Sequence, residues 1–185
     1  MEIKANAKLN WTLDILGRRA DGYHLLDSLV VFAGVGDRLV VREHAGFRFT
    51  AEGPFAPEVP LDAGNLVVAA ATRLAERLGR PLDIAVHLTK RLPVASGIGG
   101  GSADAAATLR ALVRLWGVPA TGGALVGTAV TLGADVPMCL HARACRVGGI
   151  GEVITPIPPL PAFTLLLVNP LRPLPTPAVF ARRQG

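Results

Sequence analysis

Residues 3–14 alternate between apolar and polar side chains. Ile3, Ala5, Ala7, Leu9, Trp11 and Leu13 share one side; Lys4, Asn6, Lys8, Asn10, Thr12 and Asp14 share the other. A period of two over this stretch predicts a half-buried strand. Residues 17–22 hold two glycines around charged residues and read as a turn. Residues 29–32 and 38–42 are short β-rich runs, and Phe47, Phe49 and Ala51 alternate again. Residues 53–64 carry three prolines and read as a loop. The period then changes. Leu66, Ala70, Leu74 and Leu78, flanked by Val67 and Ala71, form a helical stripe. Gly79 is placed to cap that helix and Pro81 prevents its continuation.

Leu82, Ile84, Val86 and Leu88 alternate with polar neighbours and predict a further strand. Residues 92–101 read as a loop. Residues 102–116 read as a helix with Ala105, Leu109, Leu112 and Trp116 on one face. A second helix covers 124–132, and a short one covers 136–141. After Glu152 the character shifts: the last 33 residues hold eight of the 15 prolines and no acid, with residues 163–168 as a buried-strand candidate. Strands early and helices in the middle give an α+β class.

At 185 residues the length fits one domain, or one domain and a piece of another. An apolar content of 50% excludes a disordered chain. No apolar run reaches the ~18 residues of a membrane helix. Met1 leads into Glu2, Lys4 and Asn6, unlike a secretory signal, so a cytoplasmic location is expected. The net charge of +5 comes from three lysines and scattered arginines rather than from a stripe, so no nucleic-acid partner and no membrane partner is expected. An anionic small molecule suits such a balance. Cys139 and Cys145 read as free thiols.

The strongest chemical signal is the run Pro93, Val94, Ala95, Ser96, Gly97, Ile98, Gly99, Gly100, Gly101, Ser102, Ala103. Four glycines in five positions stand between a strand and an alanine-rich helix. Glycine lets backbone approach a ligand closely, and a helix N-terminus offers unpaired N–H groups. Together they form an anion cradle, with phosphate as the usual occupant. No lysine follows the glycines, so this is not a Walker loop, and Ser102 replaces the third glycine of a dinucleotide fingerprint. The plain alternative is a flexible strand–helix turn.

Asp135, in Gly133-Ala134-Asp135-Val136-Pro137, is the second signal. It stands where a simple helix cap would stand. Lys8 and Asn10 point the same way from the first strand, and a lysine beside a carboxylate near a phosphate cradle suits phosphoryl transfer. The third signal is Asp21-Gly22-Tyr23-His24, which could equally be a turn with a surface aromatic and a solvated histidine. The fourth, residues 174–180, is by itself a rigid extended segment ending at Phe180. Asn65 has a capping alternative, and Lys90 reads as solvated or locally paired. No metal-ligand cluster is assigned.

Taken together these residues resemble the GHMP kinase superfamily. Ala7-Lys8-Leu9-Asn10, residues 17–24, the glycine run, residues 131–137, 149–156 and 175–180 fall in the order of its 4-diphosphocytidyl-2-C-methyl-D-erythritol kinase family. The resemblance implies ATP-dependent phosphorylation, with Mg2+, of a hydroxyl on a cytidine-diphosphate-linked methylerythritol, in non-mevalonate isoprenoid precursor synthesis. It implies that Asp135 takes the hydroxyl proton and that Lys8 orients the pair. It places residues 93–103 around the ATP phosphates, with Asn65 and Lys90 at the nucleotide pocket. Tyr23, His24 and Phe180 are placed around the cytosine, and Asn10 at the substrate. The implied fold is a GHMP kinase N-terminal domain of the ribosomal S5 domain 2-like type, with a left-handed βαβ crossover, over residues 1–146. Residues 147–185 would open a truncated second domain. On that reading the chain alone is a poor kinase, prone to self-association. A non-catalytic nucleotide-binding remnant and another GHMP small-molecule kinase stand as alternatives. A basic nucleic-acid module is disfavoured by the glycine run and the Lys8/Asp135 pair.

Overall fold

The computed structural model describes residues 1–119, 123–171 and 179. Two long strands organise it: β1, Glu2–Arg18, and β2, His24–Glu43, paired antiparallel from end to end. The opposite edge of β2 is divided. Its second half pairs with β4, Ile84–Thr89, and residues 28–30 pair with β5, Cys145–Gly148. Beyond these lie β3, Arg48–Glu52, parallel to β4, and β6, Val153–Pro156, antiparallel to β5. The path across the sheet is β3-β4-β2-β5-β6.

Four helices follow the sequence pattern: α1, Leu66–Arg77; α2, Gly100–Leu115; α3, Gly123–Leu132; and α4, Val136–His141. The parallel β3–α1–β4 unit is a crossover around α1. Leu39, Val41, Ile84, Val86 and Leu88 of the sheet join Val67, Ala70 and Leu74 of α1 and Leu109 and Leu112 of α2 in one core. The alanines of α2 let it sit deep: Ala103, Ala105, Ala106, Ala107 and Ala111 are all buried. Among the described residues no helix is long and apolar enough to cross a membrane.

Four expectations change. The runs at 29–32 and 38–42 are one strand. Of the two glycines between them, Gly36 marks close approach of backbone, since a Cβ on it would overlap the Ala5 carbonyl, whereas a Cβ on Gly34 would meet open space. The simple alternation of β1 is broken by irregularities between Asn6 and Lys8 and between Asn10 and Thr12. Each shift turns the strand on its axis, so Lys8 is buried while Trp11 and Leu13 are exposed. Residues 163–168 are not a strand and not buried: among the described strands none pairs with them, and Leu166 is 87% exposed. The hairpin β5–β6 was not foreseen, and β5 lies across the 146/147 boundary while continuing the sheet of residues 2–89.

Candidate functional site

A cleft of about 1290 Å3 opens between the glycine loop, β1, the start of β2 and the α3–α4 junction. One wall is the loop itself. Ser96 Oγ donates to the Pro93 carbonyl at 2.7 Å, and Lys8 N–H donates to the Ile98 carbonyl at 2.8 Å, so the loop is stitched to β1 beside Lys8. Gly99 caps α2 in the left-handed region, φ +66°, where a side chain would be strained. A Cβ there would also come within 3.0 Å of the Lys8 side chain. No side chain caps α2, and its first turn holds no acid. The first N–H groups of a helix have no intrahelical partner, and the dipole favours an anion at this end. Residues 93–97 and 99–102 line the cleft. Ile98 and Ala103 turn inward: Ile98 packs on Ala7, Ala33 and Leu92, and Ala103 joins the main core.

Across the loop, Lys8 Nζ lies 3.1 Å from Asp135 Oδ2. The two side chains differ in access, with 6% of Lys8 and 39% of Asp135 exposed. Asp135 occupies the N-cap position of α4, yet its side chain makes no capping hydrogen bond. The plain capping alternative therefore fails, and the carboxylate faces Lys8 and the cleft. Lys8 Nζ also donates to Asn10 Oδ1 at 2.9 Å. Asn10 Nδ2 donates to Ser28 Oγ at 2.7 Å, and Ser28 donates onward to the Thr12 carbonyl at 2.6 Å. This relay ties the lysine head to both long strands.

Beneath the loop lies a cluster that sequence reasoning missed. Of the two readings of Lys90, solvated or locally paired, the structure shows the second: its Nζ donates to Asp37 Oδ2 and to Asp104 Oδ2, each at 2.6 Å, and all three residues are buried. Asp37 Oδ1 accepts from the N–H groups of Arg91 and Leu92 at 2.6 and 2.8 Å. Asp104 Oδ1 is buried without a partner. Burial, opposed by Lys90 and reinforced by Asp37, pushes the Asp104 carboxyl up to about 7. Burial acts to lower the Lys90 pKa, but the two carboxylates outweigh it and leave it raised. The signal that could have found Asp104 is an acid inside a helix face otherwise made of alanine and leucine.

Asn65 caps α1, accepting from Val67 N–H at 2.8 Å and donating to the Pro60 carbonyl at 2.8 Å, while also lining the cleft. Tyr23 is exposed, and it lines the far end of the cleft with His24. Phe180 lies outside the described residues; Val179 lines the cleft. Both cysteines are free and buried, and burial pushes the Cys139 thiol up to about 12. Among the described residues no group of three or more His, Cys, Asp or Glu could hold a metal ion.

Residues 65–143, which span α1, the glycine loop and Asp135, match the GHMP kinases N terminal domain family. The fold is that of a GHMP kinase N-terminal domain. The 4-diphosphocytidyl-2-C-methyl-D-erythritol kinase of Paramagnetospirillum magneticum is 54% identical over 99% of this chain, which covers 64% of that relative. The same kinase of Rhodospirillum rubrum is 53% identical over 98% of this chain and is covered to 60%. A crystal structure of 4-(cytidine 5'-diphospho)-2C-methyl-D-erythritol kinase superposes with a TM-score of 0.72 at 40% identity, covering 85% of this chain and 55% of that one. The chain thus spans about three-fifths of the length of the curated relatives it matches. Its described part holds the glycine loop and the Lys8–Asp135 pair on one cleft.

Proposed function

We propose that this chain binds ATP and transfers its γ-phosphoryl group to a hydroxyl of 4-diphosphocytidyl-2-C-methyl-D-erythritol, a step in isoprenoid precursor synthesis. The observation that carries the reading is the Lys8–Asp135 pair, 3.1 Å apart, at the mouth of a helix-capped glycine loop. The loop fits a polyphosphate: its helix end is uncapped by side chains, free of acid and open to a large cleft. Residues 93–97 and 99–102 would hold the phosphates, with Asn65 on the nucleotide side. Asp135 accepts the proton of the acceptor hydroxyl as the hydroxyl oxygen bonds to the γ-phosphorus and the bond from that phosphorus to the bridging oxygen of the β-phosphate breaks, releasing ADP. Lys8 holds Asp135 in place and offsets negative charge at the transferred group. Mg2+, carried by the nucleotide, would neutralise phosphate charge; the described residues add no carboxylate cage for it. Tyr23 and His24, with Phe180, would take the cytosine, and Asn10 would contact the acceptor.

The identity above 50% to kinases named for this substrate supports the acceptor assignment. The test is incubation of the purified chain, in excess over ATP, with the cytidine-linked acceptor and separately with its uridine counterpart. A mass gain of one phosphoryl group on the cytidine compound is the expected result. Equal gain on both, or none on either, contradicts the reading.

A further inference from the structure

The glycine loop leaves the sheet at Lys90 and lands on α2 at Gly100. Both ends meet the same ammonium. At the take-off, Lys90 N–H donates to the Glu52 carbonyl at 2.7 Å, and Asp37 Oδ1 accepts the next two backbone N–H groups. At the landing, Asp104 lies one helical turn after Gly100, and its Oδ2 accepts from Lys90 Nζ. Gly100 sits directly over that ammonium: a Cβ on it would be 3.2 Å from Lys90 Nζ and 3.7 Å from Leu92 Cβ. The Lys90 head is thus committed to two carboxylates under the loop.

We propose that Asp37 and Asp104 are positioning residues of the phosphate cradle, clamping the two ends of the glycine loop together through Lys90. Lys90 then serves the nucleotide by fixing the loop rather than by contacting the ligand. The physical argument is preorganisation. Residues 93–99 must present backbone N–H groups in one arrangement, and a loop ordered before binding loses less conformational entropy on binding. Asp37 ties residues 91 and 92 to β2, and Asp104, one turn into α2, ties that helix to the same point. Cutting the second tie frees the helix end relative to the loop start without removing a core side chain.

The inference rests on the ATP reading above, and its test separates the two. Asp104→Leu and Asp104→Asn remove the same charge. Only the asparagine keeps an oxygen that accepts from Lys90, and Lys90 stays paired with Asp37 in both. Calorimetry of the full chain with ATP·Mg2+ and, separately, with cytidine diphosphate gives the readout. The expected result is about a tenfold loss of ATP affinity in Asp104→Leu, the scale of one lost hydrogen bond to a charged group. Asp104→Asn should stay within about threefold of the parent, and cytidine diphosphate affinity should not change in either, since Tyr23 and His24 lie at the other end of the cleft. Should Asp104→Leu not fold, the triple variant Asp37→Asn, Lys90→Met and Asp104→Leu, which buries no charge and keeps an oxygen at position 37 for the Arg91 and Leu92 N–H groups, is read in the same way. Equal ATP affinity in the leucine and asparagine variants overturns the clamp and leaves the ATP reading standing. Equal loss of both ligands shows a general structural role and overturns it too. A parent chain that binds no ATP overturns both.

Discussion

The cleft contains two lysine–carboxylate clusters that look alike in sequence and differ in access to water. Lys8 faces Asp135, whose side chain is 39% exposed and opens on the cleft. Lys90 faces Asp37 and Asp104, which are 0% and 4% exposed. In the first, the carboxylate keeps one side free for a reactant's proton. In the second, both carboxylates accept from the ammonium, and Asp37 also accepts from two backbone N–H groups. On the proposed function, the same pair of residue types would supply chemistry at one place and rigidity at another, with the accessibility of the acid deciding which. The two are joined by the glycine loop: Gly99 lies against Lys8 and Gly100 against Lys90.

Removing each lysine is the sharpest way to break this contrast. Lys90→Met leaves two buried carboxylates unpaired and should destabilise the fold by about 3–5 kcal/mol, read from denaturant unfolding. Lys8→Met leaves an aspartate that water can reach, and should cost about 1 kcal/mol. Similar losses would erase the distinction.

Stability against pH gives a second separation. Burial pushes the folded Asp104 carboxyl up to about 7, above the 3.8 of a solvated aspartate. Between those values the native state binds the extra proton, so this group lowers stability as pH rises through the window and adds no further slope above it. Asp104→Asn should remove that fall, as measured by unfolding at pH 4.5 and 7.5. An unchanged slope would show that Asp104 is not the group responsible.

Smaller effects lie at the ends of the cleft. Tyr23→Ala should weaken cytidine diphosphate binding by roughly 1–3 kcal/mol, the value of one stacked base, and leave ATP affinity alone. Leu166 and Val168 are 87% and 84% exposed. Changing both to lysine should reduce self-association seen by sizing at several concentrations, with no change in ATP affinity.

Helices α1 to α4 were legible because apolar residues recur at helical spacing and Gly79, Gly133 and Pro137 punctuate them. The glycine loop was legible because its composition has few other uses. Strand β2 was read as two runs because Gly34 and Gly36 look like a break, whereas Gly36 only makes room for the Ala5 carbonyl. The turn of Lys8 into the interior was not legible, since irregularities in a strand pair depend on both strands. Residues 163–168 carry a strand's composition, but a strand also needs a neighbour, and composition does not supply one. Asp37 and Asp104 escaped notice because a single aspartate has many solvated uses. Only the fold, placing residues 37, 90 and 104 within 2.6 Å contacts, shows that they act together.

The central claim is that Asp135, held by Lys8 beside the glycine loop, takes the proton from the phosphoryl acceptor. The most direct measurement compares parent and Asp135→Asn under single-turnover conditions, with γ-labelled ATP and the cytidine-linked acceptor, ATP occupancy being fixed by calorimetry in both. The account predicts label transfer slowed by about 10²-fold or more in the variant at equal ATP occupancy. Transfer at the parental rate by a folded, ATP-loaded Asp135→Asn chain would contradict it.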